Sequence, residues 1–209
     1  MSNITFDTEG NTKTLKEDIE WLRLWCENTN DSTLPRVALI GDSITEGYFR
    51  FVLKGLEGKA RVDVLATSYS IKSNAYKQMV KSFLADSDYA VVHYNYGLHA
   101  YSVDDDSYEA ECAAMLEWIA KQAKTVVGTT TTVLDADLQT ESARWKEKVR
   151  ARNERLWKIV QEKGYYTDDL NAACQRLLGE YRAADGVHFS EKGYQALAEL
   201  VVESIKRVL

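Results

Sequence analysis

Two hydrophobic periodicities alternate along the chain. Short runs rich in Val, Ile, Thr and aromatic residues are typical of strands, and longer stretches with apolar residues three or four positions apart are typical of helices. Strands are predicted at residues 36–40, 61–66, 89–94, 125–134 and 165–167. Helices are predicted at residues 14–28, 44–56, 74–84, 108–123, 142–163, 170–181 and 190–209.

This alternation predicts an α/β fold, a three-layer α/β/α sandwich. Right-handed strand–helix–strand crossovers give a mainly parallel sheet that is covered on both faces. Five strands are expected in the flavodoxin-like order 2-1-3-4-5, in which the strand order reverses between the first and third strands. In such sheets ligands bind beyond the carboxyl ends of the strands, at the point where the order reverses. Chemistry is therefore expected at residues 41–43, 67–70 and 95–99.

The chain length favours a single domain. Its 209 residues fall within the usual range for one domain, and no repeat, low-complexity tract or linker marks a boundary. Residues 1–34 are expected to form a helical lead-in, in which Thr14 and Glu17 make a capping box. Residues 36–209 are expected to form the core that carries the chemistry.

Charge and hydropathy narrow the range of partners. A formal net charge of −6 disfavours nucleic acids, which bind clustered Lys and Arg. No stretch approaches the ~18 apolar residues of a membrane span, and no signal-like start is visible, so a cytoplasmic protein is expected. Cys26, Cys112 and Cys174 are interpreted as buried free thiols on helices. Cys and His show no metal-binding spacing, and the oligomeric state is left open.

The first group of residues with chemical potential ends the first predicted strand. Gly41, Asp42 and Ser43 place a serine at the tip of a strand and the start of a helix. Its hydroxyl would face the cleft, and its own N–H, unpaired at a helix start, would suit a developing oxyanion. Alternatively, Asp42 or Ser43 only caps the helix. Thr45 breaks the G-x-S-x-G pattern, which disfavours an α/β-hydrolase elbow.

The second group lies in a loop before the last helix. Asp185 and His188 are three residues apart, so a short turn can bring the carboxylate to the imidazole. A serine needs a base that works near neutral pH, and the base needs a carboxylate that holds its tautomer. The alternative is a helix-entry turn with an incidental histidine.

Together these motifs resemble a known family. GDSITEG at residues 41–47 and DGVHFSEKGY at residues 185–194 are similar to blocks of the SGNH or GDSL-type lipase/esterase superfamily, and the resemblance runs from about residue 36 to the end. It implies Ser43 as nucleophile, His188 as general base and Asp185 as its orienting partner. It also implies a flavodoxin-like sheet and deacylation of esters, commonly acetylated sugars or lipids, without a cofactor.

The resemblance is weaker in the blocks that supply the oxyanion hole. Ser68 stands where the family's second block has glycine, and its backbone N–H is expected to serve with that of Ser43. In the third block, HYNYGLH at residues 93–99, alignment on the amide makes Asn95 the donor, whereas alignment on Gly97 puts His99 in that place. The N-x-G-L-H form resembles one bacterial subset and favours Asn95. Asp42, Gly97 and His99 are then candidates for substrate contact.

Three further features receive structural interpretations. His93, in the middle of a predicted strand, is expected to be a satisfied core residue. The acidic run at residues 104–106 is expected to cap the following helix. The threonines at residues 129–132 are assigned to a core strand, with Thr131 or Thr132 lining the pocket.

The function indicated is acyl transfer to water. Short acyl groups, in particular acetyl esters of carbohydrates, are the preferred small-molecule substrates, on the resemblance alone. The enzymatic alternatives are a thioesterase or a lysophospholipase with the same triad. A non-catalytic binding module that retains the fold is the alternative from another class.

Overall fold

The structure, a computed structural model, describes residues 16–99, 101 and 103–209. Its strands are β1 (Leu22–Trp25), β2 (Arg36–Gly41), β3 (Arg61–Thr67), β4 (Tyr89–Asn95), β5 (Lys124–Gly128) and β6 (Tyr166–Asp168). Its α-helices are α1 (Ser43–Gly55), α2 (Asn74–Ala85), α3 (Asp105–Ala120), α4 (Ala143–Lys163), α5 (Leu170–Cys174) and α6 (Glu191–Lys206). A 3-10 turn covers Gly179–Tyr181.

The strands form one sheet in the order β1-β3-β2-β4-β5-β6. The five strands β2 to β6 are parallel to one another. Ile40 of β2 lies between Leu65 of β3 and Tyr94 of β4. Counted among themselves, these five have the order 2-1-3-4-5, which confirms the predicted topology. The sheet has six strands rather than the predicted five, because β1 adds an antiparallel edge next to β3.

Helices cover both faces of the sheet, so the central strands are apolar on both sides. Val37 and Leu39 of β2 belong to a core cluster that includes residues of α1 and α6. Ala38 and Ile40, which alternate with them, belong to a second cluster with residues of α2 and α3. This alternation fixes the register of β2, and with it the place where the strand ends.

The carboxyl end of β2 is closely packed. A Cβ on Gly41 would lie 2.0 Å from Thr45 Oγ1 and 2.4 Å from the carbonyl oxygen of Asn95. Only glycine allows this approach of β2, β4 and the first turn of α1. The edge of the sheet at which chemistry was expected is therefore built around Gly41.

The predicted N-terminal helix at residues 14–28 is wrong for all of its described residues, 16–28, none of which is helical. Residues 22–25 form β1, which pairs from Leu22 opposite Thr67 to Trp25 opposite Val64. Ile19, which was part of the predicted apolar stripe, is 76% exposed. Pairing with β3 provides partners for backbone groups that a helix would have satisfied internally. Thr14 lies outside the described residues, and the helix that its capping box with Glu17 would begin is absent from residue 16 onward.

The predicted environment of the cysteines changes accordingly. Cys26 follows β1 and is half-buried, so its assignment to a buried helix is wrong. Cys112 lies buried in α3 and Cys174 lies buried in α5, and all three thiols are free.

Two other predicted elements end early. The predicted strand at residues 125–134 ends at Gly128, because the backbone of Thr130 turns to the side chain of Asn153, which it both donates to and accepts from. The predicted helix at residues 170–181 ends at Cys174. Further on, Gly179 has a φ of +55°, and its N–H donates to the carbonyl of Leu138. Among the described residues, no helix combines the length and the hydropathy needed to cross a lipid bilayer.

Candidate active site

Ser43 is the first residue of α1, directly beyond the end of β2. The buried carboxylate of Asp42 accepts a hydrogen bond from the N–H of Ile44 at 3.0 Å and so caps the helix. As the first helical residue, Ser43 has a backbone N–H without an intrahelical acceptor. The capping role foreseen as an alternative for Asp42 is confirmed, and its contact with substrate stays a prediction.

The structure brings together the three residues that the two motifs predict. His188 Nε2 lies 2.9 Å from Ser43 Oγ, although the two residues are 145 positions apart in the chain. His188 Nδ1 lies 2.6 Å from Asp185 Oδ2. The result is one hydrogen-bonded line from carboxylate to imidazole to hydroxyl, the geometry that a serine nucleophile and its base require.

The environment of Asp185 keeps it ionised. Partial burial opposes the charge, but hydrogen bonds from the His188 side chain and from the N–H groups of Val187 and His188 outweigh it, so the pKa of Asp185 is lowered. The two backbone bonds are both 2.9 Å long and end on Oδ1, which leaves Oδ2 to the imidazole. A carboxylate at Nδ1 holds the proton there, so Nε2 is the atom that accepts from Ser43. The side chains of His188 and Asp185 are 39% and 51% exposed, so substrate and water can reach them.

Gly186 determines the shape of the loop that carries Asp185 and His188. Its φ is +68°, and a Cβ there would lie 2.2 Å from the carbonyl oxygen of Leu134. The backbones bond at this contact, since Leu134 N–H donates to Gly186 O at 2.9 Å. The loop is therefore fixed against the segment that follows β5.

Arg182 supports the same loop and was not foreseen from the sequence. It is buried, and its guanidinium donates to the carbonyl oxygen of Thr132 at 2.9 Å, to Thr132 Oγ1 at 2.8 Å and to the carbonyl of Leu177 at 2.8 Å. It also lies 4.0 Å from the centre of the Phe189 ring, next to His188. One arginine before a loop carries no sequence signal of its own, because two of its three acceptors belong to Thr132, 50 positions earlier in the chain. Thr132, which was expected with Thr131 as a residue that could line the pocket, accepts a hydrogen bond from this arginine through Oγ1, and contact of either threonine with substrate stays a prediction.

Ser68, the predicted second oxyanion donor, contacts the N-terminal segment. Its backbone N–H donates to the carbonyl of Trp21 at 3.3 Å. Its hydroxyl accepts from Trp21 N–H at 2.9 Å and donates to Glu20 Oε2 at 2.7 Å. The N–H that was expected to face an oxyanion thus has a weak backbone partner.

Asn95, the predicted third donor, has its side-chain amide at the end of β5. Its Nδ2 donates to the carbonyl of Gly128 at 3.2 Å and to that of Thr129 at 3.0 Å. Both amide hydrogens are therefore used there. The role of Asn95 as an oxyanion donor stays a prediction, which requires the amide to exchange one of these carbonyls for the oxyanion.

His99 and Gly97 belong to the loop that follows β4. His99 Nδ1 lies 2.7 Å from Glu17 Oε1, and its ring meets the indole of Trp21 edge-on, with 6.4 Å between the ring centres. A Cβ on Gly97 would lie 1.8 Å from Thr130 Oγ1, so this glycine is needed for packing. Contact of either residue with substrate stays a prediction.

The remaining interpretations concern structure. His93 is fully buried, with Nε2 3.1 Å from Asp168 Oδ2, so its assignment to the core is confirmed. Asp104 caps α3 by accepting from Ser107 N–H at 2.8 Å, as predicted. The described residues contain no group of three or more His, Cys, Asp or Glu side chains placed to hold a metal ion.

Comparison with known proteins places the fold. No protein-family model matches the sequence, and no curated protein matches it either. Solved structures with a similar fold include the three that follow. The lipase/acylhydrolase from Enterococcus faecalis has 19% identity and a TM-score of 0.69, over 83% of this chain and 96% of that one. An acetylxylan esterase from Geobacillus stearothermophilus has 18% identity and a TM-score of 0.69, over 82% and 94%.

The third structure is a GDSL-like lipase from Bacteroides thetaiotaomicron, with 18% identity and a TM-score of 0.64, over 83% of this chain and 89% of that one. In all three cases the similarity spans most of both chains. The fold of this chain is therefore that of the SGNH and GDSL-type hydrolases.

Proposed function

We propose that this protein is a serine ester hydrolase that works through an acyl-enzyme on Ser43. The observation that carries the proposal is the line of hydrogen bonds from Asp185 through His188 to Ser43. The buried His93–Asp168 pair has no such access to a nucleophile at the surface. Similarity in fold to esterases and lipases adds support.

The proposed reaction follows from the geometry. His188 Nε2 takes the hydroxyl proton as Ser43 Oγ bonds to the ester carbonyl carbon, and it returns that proton to the leaving alcohol. Water then attacks the acyl-enzyme in the same way and releases the acid. No cofactor takes part in these steps.

The oxyanion needs donors, and three are proposed. The N–H of Ser43 at the start of α1 is one of them. The N–H of Ser68 is a second, provided that it exchanges the Trp21 carbonyl for the oxyanion. The side-chain amide of Asn95 is the third, provided that it likewise exchanges one of its two carbonyl acceptors; His99 is the alternative.

The proposed substrates are small esters with short acyl groups, and acetyl esters of carbohydrates come first. A solved structure with this fold is an acetylxylan esterase, and the family that the sequence motifs resemble commonly deacylates sugars. A thioesterase or a lysophospholipase would use the same triad. A non-catalytic binding module is disfavoured because the three side chains are in hydrogen-bonded order.

Replacement of the nucleophile tests the proposal. Ser43→Ala should lower kcat on p-nitrophenyl acetate by at least about 10³-fold, because the acyl-enzyme cannot form. Ser82→Ala, at an exposed serine of α2, is the matched control and should behave like wild type. A fluorophosphonate should label wild type and the control but not Ser43→Ala. Retained turnover in purified Ser43→Ala protein would exclude this residue as nucleophile.

The same assay separates the candidate substrates. A series of p-nitrophenyl esters of increasing chain length, acetylated xylo-oligosaccharides, an acyl thioester and a lysophospholipid should be compared by kcat/KM. We expect acetyl esters to be the best substrates. A preference for long chains or for the thioester would replace the substrate class while leaving the Ser43 mechanism in place.

A further inference from the structure

A side chain in the loop after β4 is bonded to the loop after β3. The phenol hydroxyl of Tyr96 donates a hydrogen bond to the carbonyl oxygen of Tyr69. Tyr96 directly follows Asn95, the last residue of β4, and Tyr69 directly follows Ser68. The bond therefore joins the two residues that come next after two of the proposed oxyanion donors.

The register of the sheet shows what lies between the two loops. β2 separates β3 from β4, and Gly41 at its end lies opposite Ala66 of β3 and Asn95 of β4. Ser43 and Ser68 each follow two residues beyond that level of the sheet. The tyrosine bond thus links the loops on either side of the strand that leads to the proposed nucleophile.

Tyr96 is held by contacts with three helices. Its ring is buried, and its centre lies 4.8 Å from that of the Tyr76 ring of α2. Its carbonyl oxygen accepts from the hydroxyl of Tyr108 of α3 at 2.9 Å. The next carbonyl, that of Gly97, accepts from the buried guanidinium of Arg152 of α4. The donor of the bond is therefore a well-packed side chain on a backbone that is itself bonded on both sides.

We propose that Tyr96 is a positioning residue of the active site, whose hydroxyl holds the loop after β3 so that the Ser68 N–H can meet the oxyanion. This inference rests on the proposed ester hydrolysis and deepens it, because it assigns a residue that acts through a donor rather than on the substrate.

The exchange proposed at Ser68 shows why the loop needs this bond. The Ser68 N–H gives up the carbonyl of Trp21 when it turns to the oxyanion. The bond from Tyr96 ends on a different carbonyl, so it persists through that exchange. Burial raises the pKa of Tyr96 well above its usual range, so its hydroxyl keeps its hydrogen and donates in neutral and mildly basic solution. No proton leaves Tyr96 during the reaction.

The test is Tyr96→Phe, which removes the hydroxyl and keeps the ring in its packing. The loop after β3 then loses an anchor, and the Ser68 N–H should meet the oxyanion less well. We expect kcat on p-nitrophenyl acetate to fall about tenfold, less than the ~10²–10³ for loss of a whole donor. KM should change little, because a bond to the oxyanion strengthens mainly in the transition state.

A tetrahedral inhibitor gives a readout that a purely structural role would not change. Phenylboronic acid takes up the Ser43 oxygen at its trigonal boron while the hydroxyl proton passes to His188. The tetrahedral anion that forms resembles the transition state of the proposed reaction. Its inhibition constant should rise in Tyr96→Phe by about the factor by which kcat/KM falls.

Tyr94→Phe is the matched control. Tyr94 lies two positions earlier in the same core cluster, is as buried as Tyr96, and bonds through its hydroxyl to that of Tyr76 at 3.1 Å. Each variant removes one buried phenol hydroxyl, so each should lower the melting temperature by about 2–4 °C. Well below melting, Tyr94→Phe should keep the kcat of wild type.

Asn95→Ala provides a second background for the test. If the hydroxyl of Tyr96 acts through the Ser68 N–H, Tyr96→Phe should lower kcat by the same factor whether or not the Asn95 amide is present. A factor that disappears in Asn95→Ala would mean that the effect passes through that amide, and it would overturn the proposed route.

The other outcomes separate this inference from the proposed function. Unchanged kcat in Tyr96→Phe, or a fall that Tyr94→Phe matches, would overturn the role of Tyr96. A rise in KM alone would overturn it too, because the residue would then serve ground-state binding. In each of these cases an inactive Ser43→Ala would leave the ester hydrolysis standing. Retained activity in Ser43→Ala would remove the proposed function itself.

Discussion

At the scale of single residues, pairing with a carboxylate does not distinguish a catalytic histidine in this chain. The sequence contains three histidines, and each lies within 3.1 Å of an acid: His93 of Asp168, His99 of Glu17 and His188 of Asp185. His93 is fully buried, and His99 has no serine as a second partner. His188 joins an acid to a serine hydroxyl, at 2.9 Å from Ser43 Oγ, whereas the hydroxyl next to His93 is the buried phenol of Tyr48, at 3.5 Å. The contact with Ser43 is therefore the observation that favours His188 over the other two histidines as the proposed base.

The pH dependence of the reaction follows from Asp185. The pKa of Asp185 is lowered, so in the folded protein its carboxylate stays ionised at pH values at which an ordinary aspartate would already be protonated. Its contribution to stability is present at neutral pH and is lost only as the pH falls through that lowered pKa. Protonation of Asp185 therefore does not account for a loss of activity in mild acid. We expect kcat/KM to rise with pH through about 6–7, the range in which imidazoles titrate.

Asp185→Asn is the companion variant. It should lower kcat by about 10⁴-fold, because an amide no longer holds the productive tautomer of His188. The measurement is kcat/KM from pH 5 to 9, with chemistry rate-limiting. A flat wild-type profile between pH 5 and 8 would exclude His188 as the base.

The mutual contacts of Ser43, His188 and Asp185 were predictable from the sequence, whereas the contacts of the expected oxyanion donors were not, for a physical reason. Asp185 and His188 lie in one loop, and Ser43 follows its strand directly, so local motifs contain the information. The orientation of the Asn95 amide depends on where β5 ends, since its partners are the carbonyls of Gly128 and Thr129. That position is a tertiary property, and no spacing around Asn95 encodes it.

At the scale of elements, the sequence predicted buried elements better than edges and ends. The central strands are apolar on both faces, so their patterns are unambiguous. β1 is a four-residue edge strand whose pairing with β3 was not visible in its own pattern. The segment after Gly128 is as rich in β-branched residues as the strand itself, yet Asn153 of α4 takes its hydrogen bonds. Local propensity is overridden where a distant side chain offers a better partner.

Gly186 shows how one element depends on a backbone position. Gly186→Ala should lower stability by about 1–3 kcal/mol for the left-handed conformation, and more for the contact of its Cβ with Leu134 O. Because the loop must move to relieve that contact, His188 should leave Ser43 and kcat should fall. Thermal melts and kcat on p-nitrophenyl acetate measure the two effects.

The control for this variant is Gly58→Ala. Gly58 also has a positive φ, of 71°, but a Cβ there meets no atom within 4 Å. It should share the backbone cost and keep full kcat below its melting temperature. Equal kcat in the two alanine variants would show that the contact with Leu134 does not position the triad.

At the scale of the whole molecule, a buried ion pair and the candidate active site lie at opposite ends of the sheet. The carboxyl ends of the strands carry Ser43 and the loops around it. The amino ends are joined by Arg36 of β2, which donates to both carboxylate oxygens of Asp63 of β3 at 2.8 and 2.9 Å. Tyr89 of β4 donates to the same carboxylate at 3.0 Å, and Arg36 also binds the carbonyl of Asn28 at 2.8 Å. One buried ion pair thus connects three strands and the turn after β1.

This separation predicts a variant that loses stability without losing catalysis. The side chains of Arg36 and Asp63 are 8% and 1% exposed, so Asp63→Asn leaves a guanidinium buried without its counter-charge. The expected loss is about 3–5 kcal/mol, the usual cost of removing one partner of a buried pair. For a chain of this size the melting temperature should fall on the order of 10 °C. Glu154→Gln, which breaks an exposed pair with Arg150, should change stability by less than about 1 kcal/mol.

Catalysis should not follow the loss of stability. At temperatures well below the melting of wild type and of Asp63→Asn, kcat and KM of this variant should equal those of wild type, because the pair lies a full strand length from Ser43. A fall in kcat without a fall in melting temperature would mean that the two ends of the sheet are coupled.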